Sequence, residues 1–172
     1  MKKNTIIAIM LLLSSGTFFS IRAQTAEALE EEGLAHFRKA FYEAMPQEDI
    51  AGAEAEFVLA EKAFRAAIRM NPGRVEPYLY LGRTFFVQEK YSEAARIYRQ
   101  ATGIAPGKKE VYLQLASALE MAGDYESAVA CLKTLRQQEK DSRTILILDD
   151  FIRRLELCAR EAGQKKGGKG HE

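Results

Sequence analysis

Few residues in this chain are of a type that can do chemistry. There are two histidines, His36 and His171, and two cysteines, Cys131 and Cys158. His36 lies in a helical pattern with no second His, Cys or carboxylate at ligand spacing, so it reads as a packed or half-exposed helix residue. The Gly167-Gly168-Lys169-Gly170 run lacks the strand, the spacing and the Ser/Thr of a phosphate-binding loop, and there is no Gly-rich dinucleotide fingerprint. Glu30-Glu31-Glu32 reads as a solvated face. No nucleophile with a base and no metal set is legible, so the expectation is a non-enzyme with no catalytic residue, no metal and no cofactor. A small-ligand binder or enzyme would need a deep closed pocket with convergent polar groups.

The elements that would position such residues begin after a leader. Lys2-Lys3, the apolar Ile6 to Leu13, the polar Ser14-Ser15-Gly16 break and Ala23 form the pattern of a secretory signal over residues 1–23. The alternative is an uncleaved anchor, since Thr5 to Ile21 is 17 residues, the short edge of a membrane span. No Cys lies near the cleavage region, which excludes a lipid-modified N-terminal cysteine. Cleavage removes Lys2, Lys3 and Arg22 and leaves 22 basic against 24 acidic residues, a net charge of −2. A near-neutral, interspersed surface argues against nucleic acid, which demands a basic stripe. Residues 164–172, basic and Gly-rich, read as a disordered tail, with a weak contact to an anionic surface as the alternative.

Between leader and tail the chain repeats itself. Ala60, Phe64, Ala67 and Pro72 recur as Ala94, Tyr98, Ala101 and Pro106, 34 residues later. The middle copy runs Tyr78, Leu81-Gly82, Phe85, Ala94, Tyr98, Ala101, Pro106 and resembles a tetratricopeptide repeat (TPR). Gly82 and Ala94 are small where two helices would cross; Tyr78, Leu81, Phe85 and Tyr98 fill the space around them. Gln88-Glu89-Lys90 makes the turn and Pro106 stops the second helix. The third copy keeps register with Tyr112, Leu115, Ala116, Leu119, Ala128 and Leu132, and has a better turn in Gly123-Asp124. It departs at Leu135 and Lys140, which replace Ala101 and Pro106.

The first copy is stretched. Gly33 precedes Gly82 by 49 residues, the period plus 15. Helix formers lie on both sides of Pro46, so about two extra turns on each helix are expected, with residues 46–49 as the tip and Asp49 as N-cap. A flexible loop is the alternative. Beyond Lys140, a helix capped by Asp141 or Ser142 puts Ile145, Leu148, Phe151, Ile152, Leu155 and Ala159 on one stripe, the pattern of a helix sealing a repeat stack. Leu146 and Leu157 lie off it, as stray exposed leucines or as a second contact surface. If the last two helices are antiparallel, Cys131 faces the neighbourhood of residue 150, and Cys158 is about 12 Å further along the axis, beyond disulfide reach. Two buried free thiols are expected.

The fold class is therefore all-α. The resemblance implies a right-handed α-solenoid of three TPR-like hairpins, the first elongated, plus a capping helix, over residues 24–163. It also implies a concave groove lined by the first helix of each hairpin: Leu34, Phe37 and Arg38; Glu76, Leu79, Arg83, Phe86 and Val87; Glu110, Leu113, Ser117 and Met121. In relatives that bind C-terminal carboxylates a clamp of Lys, Asn and Arg comes from these helices. The matching places here hold Glu30, Leu34, Tyr80, Glu110 and Gln114, so that clamp is missing. An apolar lining around Arg83 suits an apolar or amphipathic segment of another protein; the alternative is that some of these residues pack between repeats. Function then reads as a protein-binding adaptor of the bacterial periplasm. The alternative is a structural subunit of an envelope complex, or a homodimer, whose groove or C-terminal helix is permanently occupied. No nucleic acid and, once the signal is cut, no membrane span are expected.

Overall fold

The computed structural model describes residues 25–167; the expected signal segment 1–23 and the last residues of the tail lie outside them. Seven helices follow one another: α1 (25–38), α2 (Ile50–Met70), α3 (Glu76–Val87), α4 (Tyr91–Ile104), α5 (Lys109–Met121), α6 (Tyr125–Gln138) and α7 (Ser142–Gly167). They pack sequentially as TPR-like hairpins, as expected. The chain divides into two compact units, residues 1–81 and 82–172, with the division inside α3.

In the first unit α1 and α2 form the long hairpin. Gly33 lies under the buried ring of Phe64: a Cβ there would come within 2.6 Å of it. Further out, the Phe37 ring meets Phe57 edge-on at 5.9 Å. α1 runs on through a π-helical turn, Lys39–Ala44, and a 3-10 turn, Met45–Gln47. Glu48 then turns the chain with a left-handed φ of 59°, and the Asp49 carboxylate accepts the Gly52 N–H at 2.9 Å. The 15 additional residues are thus helix on both sides of a capped tip, and α2, with 21 residues, is longer than the 14-residue α4 and α6. At the other end Arg74, in the turn after α2, reaches back to Glu27 at 2.6 Å and Glu30 at 3.1 Å.

The second unit repeats the crossing. A Cβ on Gly82 would lie 2.7 Å from Tyr98 Cδ1, and Tyr98 is itself buried. α5 packs on α4, α6 on α5 and α7 on α6. Gly123 supplies the left-handed turn before α6 (φ 77°), and Asp124 caps it by accepting the Ser127 N–H. The third copy lacks Pro106's counterpart and closes electrostatically instead. Glu139 accepts the N–H groups of Lys140 and Asp141 and pairs with Lys109 at 2.5 Å. Asp141 is the cap of α7, accepting the Thr144 N–H at 2.8 Å.

On α7 the stripe falls as expected: Leu148, Ile152 and Leu155 are buried, and Ile145, Phe151 and Ala159 half-buried. Asp149 and Glu156 flank the contact and bind Arg136 (3.0 Å) and Lys133 (2.7 Å). The helix also continues to Gly167, past residue 163 where the sequence reading begins a disordered tail. Gln164, Lys165 and Lys166 are residues of good helix propensity. No helix among the described residues is long and apolar enough to cross a membrane.

Candidate functional site

The expected groove residues are taken unit by unit. In the first, Leu34, Glu76 and Leu79 are half-buried and Arg38 is exposed. Phe37 departs from the expectation. It is 6% exposed, stacked on Phe41 at 5.7 Å and edge-on to Phe57, so it belongs to the core of the long hairpin. The elongation supplied aromatic neighbours that a hairpin of ordinary length would lack.

In the second unit the lining residues remain accessible. Phe86, Val87, Leu113 and Ser117 are half-buried, Arg83 and Glu110 exposed, and Met121 is 52% exposed. Phe86 is held in place by the Tyr91 ring, edge-on at 5.2 Å. On α5, Glu110, Leu113, Ser117 and Met121 succeed one another at spacings of three, four and four, which is one face of a helix. Tyr98 links the two helices that carry these residues. Burial pushes its phenol well above the ordinary range, while the positive charge of Arg83 draws it down and the negative charge of Glu110 raises it. Arg83 and Glu110 thus act on one buried hydroxyl, a grouping that the repeat pattern alone did not indicate.

Two of the five places of the missing carboxylate clamp, Glu30 and Glu110, carry the opposite sign, and the other three are uncharged. Glu30 is buried, and burial pushes its carboxyl up against the pull of Arg74. Tyr80 is stacked on Phe64 at 5.7 Å, and Glu110 and Gln114 are exposed. The Arg74 pairings have no signal in the sequence, because Arg74 sits in an inter-helix turn outside the repeat pattern.

Elsewhere in the second unit a hollow of about 380 Å³ opens between α4, α5 and α6, floored by Tyr112, Leu115, Leu119 and Cys131. Its Thr102 and Thr134 hydroxyls are spent on the carbonyls of Arg99 and Ala130, so they do not converge on a ligand. Cys131 and Cys158 are free, as expected, but half-buried rather than buried. The Cys131 thiol donates to the Tyr112 carbonyl at 3.4 Å, and burial pushes it up to about 11, far from a reactive thiolate. His36 binds Glu56 across the long hairpin at 2.6 Å, and Lys39 binds the same carboxylate. Among the described residues no group of three His, Cys, Asp or Glu is placed to hold a metal ion.

Two tetratricopeptide repeat family models match the chain, over residues 49–109 and 85–146, together more than half of it. No curated protein matches it significantly. Among solved structures it is similar to the first TPR domain of Spaghetti (RPAP3) bound to an HSP90 peptide, SRMEEVD. That likeness has a TM-score of 0.57 and 13% identity, and covers 80% of this chain and 98% of the other. It is similar also to the Arabidopsis OM64 TPR domain (TM-score 0.55, 18% identity, 77% and 98% covered). A third is the TPR2B domain of yeast Sti1 in complex with an Hsp70 peptide (0.54, 19%, 83% and 98%). At these identities the likeness is one of fold.

Proposed function

Because the chain belongs to the tetratricopeptide repeat family, we propose that it is a non-enzymatic protein-binding module, exported to the bacterial periplasm, that takes an apolar or amphipathic segment of a partner. The observation that carries this reading is the face of the second unit. Phe86, Val87, Leu113 and Met121 are left partly open on helices where Arg83 adds a cation. Aromatic and Arg anchors dominate interface energy in general. Two of the similar domains hold chaperone peptides. Here exposed Glu110 and buried Glu30 stand in clamp places and neither offers a cation to an acidic tail, so the partner segment is of a different chemistry.

In-cell crosslinking and recovery of the chain identifies the partner. Phe86→Ala is expected to weaken capture about tenfold, the equivalent of 1.4 kcal/mol, with unchanged circular dichroism. Arg83→Glu should cost more at low salt than at high salt, because screening weakens exposed pairs. If Phe86→Ala unfolds the chain and neither Leu113→Ala nor Met121→Ala affects capture, the face is structural and the reading fails. Export is tested separately: N-terminal sequencing of the protein recovered from the envelope should begin at Gln24.

A further inference from the structure

The outward face of α2 breaks the rule that the other hairpins obey. The second helices of those hairpins show solvent Glu93, Arg96 and Arg99 on α4, and Glu126, Lys133 and Gln137 on α6. The first three turns of α2 read IAGAEAEFVL, with Ala53 and Phe57 facing the core. On the opposite side Ala51, Ala55, Val58 and Leu59 are exposed, Val58 at 62% and Leu59 at 41%. Of the two acids in that run, Glu56 is held by His36 and Lys39, which leaves Glu54 as the charge on the outer side. Val58 and Leu59 side by side form an exposed apolar strip on a helix whose other side is already packed, and such a strip is one that a partner covers. One side of α2 is covered by α1; the other is open.

We infer that a second copy of this chain covers it, through antiparallel pairing of α2 with α2 about a two-fold axis at Val58. The charges choose this occupant. Glu54 lies four residues before Val58 and exposed Lys62 four residues after it. In an antiparallel pair centred on Val58, Glu54 therefore meets Lys62 of the partner subunit, and Lys62 meets Glu54 of the partner subunit. Val58 packs on its own copy, as an isologous interface requires. Ala51 and Ala55 are small, which lets the axes approach to about 8 Å. A parallel pair would set Glu54 against its own copy. An anionic membrane surface fits poorly, because Glu43, Glu48, Asp49 and Glu54 surround the tip and outer face where a membrane-binding helix carries Lys and Arg.

The test is oligomeric state by light scattering across a dilution series. The chain is expressed from residue 1, so that the cell makes whatever cut it makes. A dimer that dissociates on dilution is expected. Glu54→Lys or Lys62→Glu alone should weaken it about tenfold or more, and the double swap should restore it; Val58→Asp should abolish it. All three substitutions are at exposed positions, so helicity should hold. Phe86→Ala should leave the dimer unchanged, which separates this inference from the proposed partner face. The inference is overturned by a monomer at every dilution. It is overturned equally by a dimer indifferent to Val58→Asp, or by a double swap that stays monomeric. Binding to phosphatidylglycerol vesicles that is lost with Val58→Asp would replace the second copy with a membrane and also overturn it.

Discussion

Two glycines do the same work at different distances from their partners. Gly33 sits under Phe64, 31 residues on, and Gly82 sits under Tyr98, 16 residues on. The difference is the 15-residue surplus, so the stretched hairpin crosses where the ordinary one does. Both rings are fully packed and cannot retreat. Gly33→Ala and Gly82→Ala should therefore each cost about 1–3 kcal/mol by overpacking, although alanine is the better helix former. Thermal melts check this, with a fall of about 2–4 °C per kcal/mol. These small residues were legible because the period sets Gly82 against Gly33 and Ala116. The partners of Arg74 were not, because no pattern marks a side chain that reaches from a turn back to the start of another helix.

At the scale of elements, the three hairpins solve one turn in three ways. A left-handed residue precedes the N-cap in each: Glu48, Glu89 and Gly123. Asp49 and Asp124 cap with their carboxylates, whereas Lys90 in the middle turn has no acceptor to offer. A left-handed non-glycine costs about 1–2 kcal/mol, of which glycine's extra unfolded-state freedom takes back about 0.5–1. An Asp cap adds about 1 kcal/mol. Glu89→Gly with Lys90→Asp should thus stabilise the chain by about 1.5 kcal/mol and raise Tm by about 3–6 °C. No gain on heating would mean that the middle turn is already relaxed by contacts the third lacks. Elements were the most legible level: helix existence, the Asp49 cap and the α7 stripe all follow from spacing and residue type. Phe37 was misplaced because its period position is that of a lining residue, while its aromatic neighbours come from the insertion. The outer face of α2 is not legible in the sequence, because Ala51, Ala55, Val58 and Leu59 look like ordinary helix filler until their exposure is known.

For the whole chain, electrostatics sets the response to acid. Hydrogen bonds from Lys109 and from the N–H groups of Asp141 and Lys140 hold Glu139 down to about 2. Glu56, Asp141, Asp149 and Glu156 are lowered as well, by Lys39 and His36, by Thr144, by Arg136 and by Lys133 respectively. A depressed carboxyl stabilises the fold above its unfolded value and loses that contribution as pH falls through its folded value. Glu30, raised by burial, acts in the opposite direction and is alone among these carboxylates. Stability should accordingly fall as pH drops from about 4.5 toward about 2, and Glu139→Gln should flatten that slope in melts recorded across the range. A profile unchanged by Glu139→Gln would mean that Glu139 does not fasten the α6–α7 turn. The first hairpin has a different lesson in its odd number of added residues. From Gly33 to Glu48 is eight residues more than from Gly82 to Glu89, whereas from Asp49 to Ala60 is seven more than from Lys90 to Ala94. Seven residues are about two α-turns, and a π-turn takes up about one residue more than an α-turn. The π-helical turn at Lys39–Ala44 therefore works like a leap day: it absorbs the eighth residue, so both arms lengthen by two turns and arrive at the tip in step. Length here is quantised in turns, and this is the place where one residue can be dropped without rotating everything beyond it. Deleting Tyr42, which is exposed, should restore a plain α-helix and leave Tm within about 3 °C. Deleting Glu54 from α2 should turn the preceding residues by about 100° and unseat the tip.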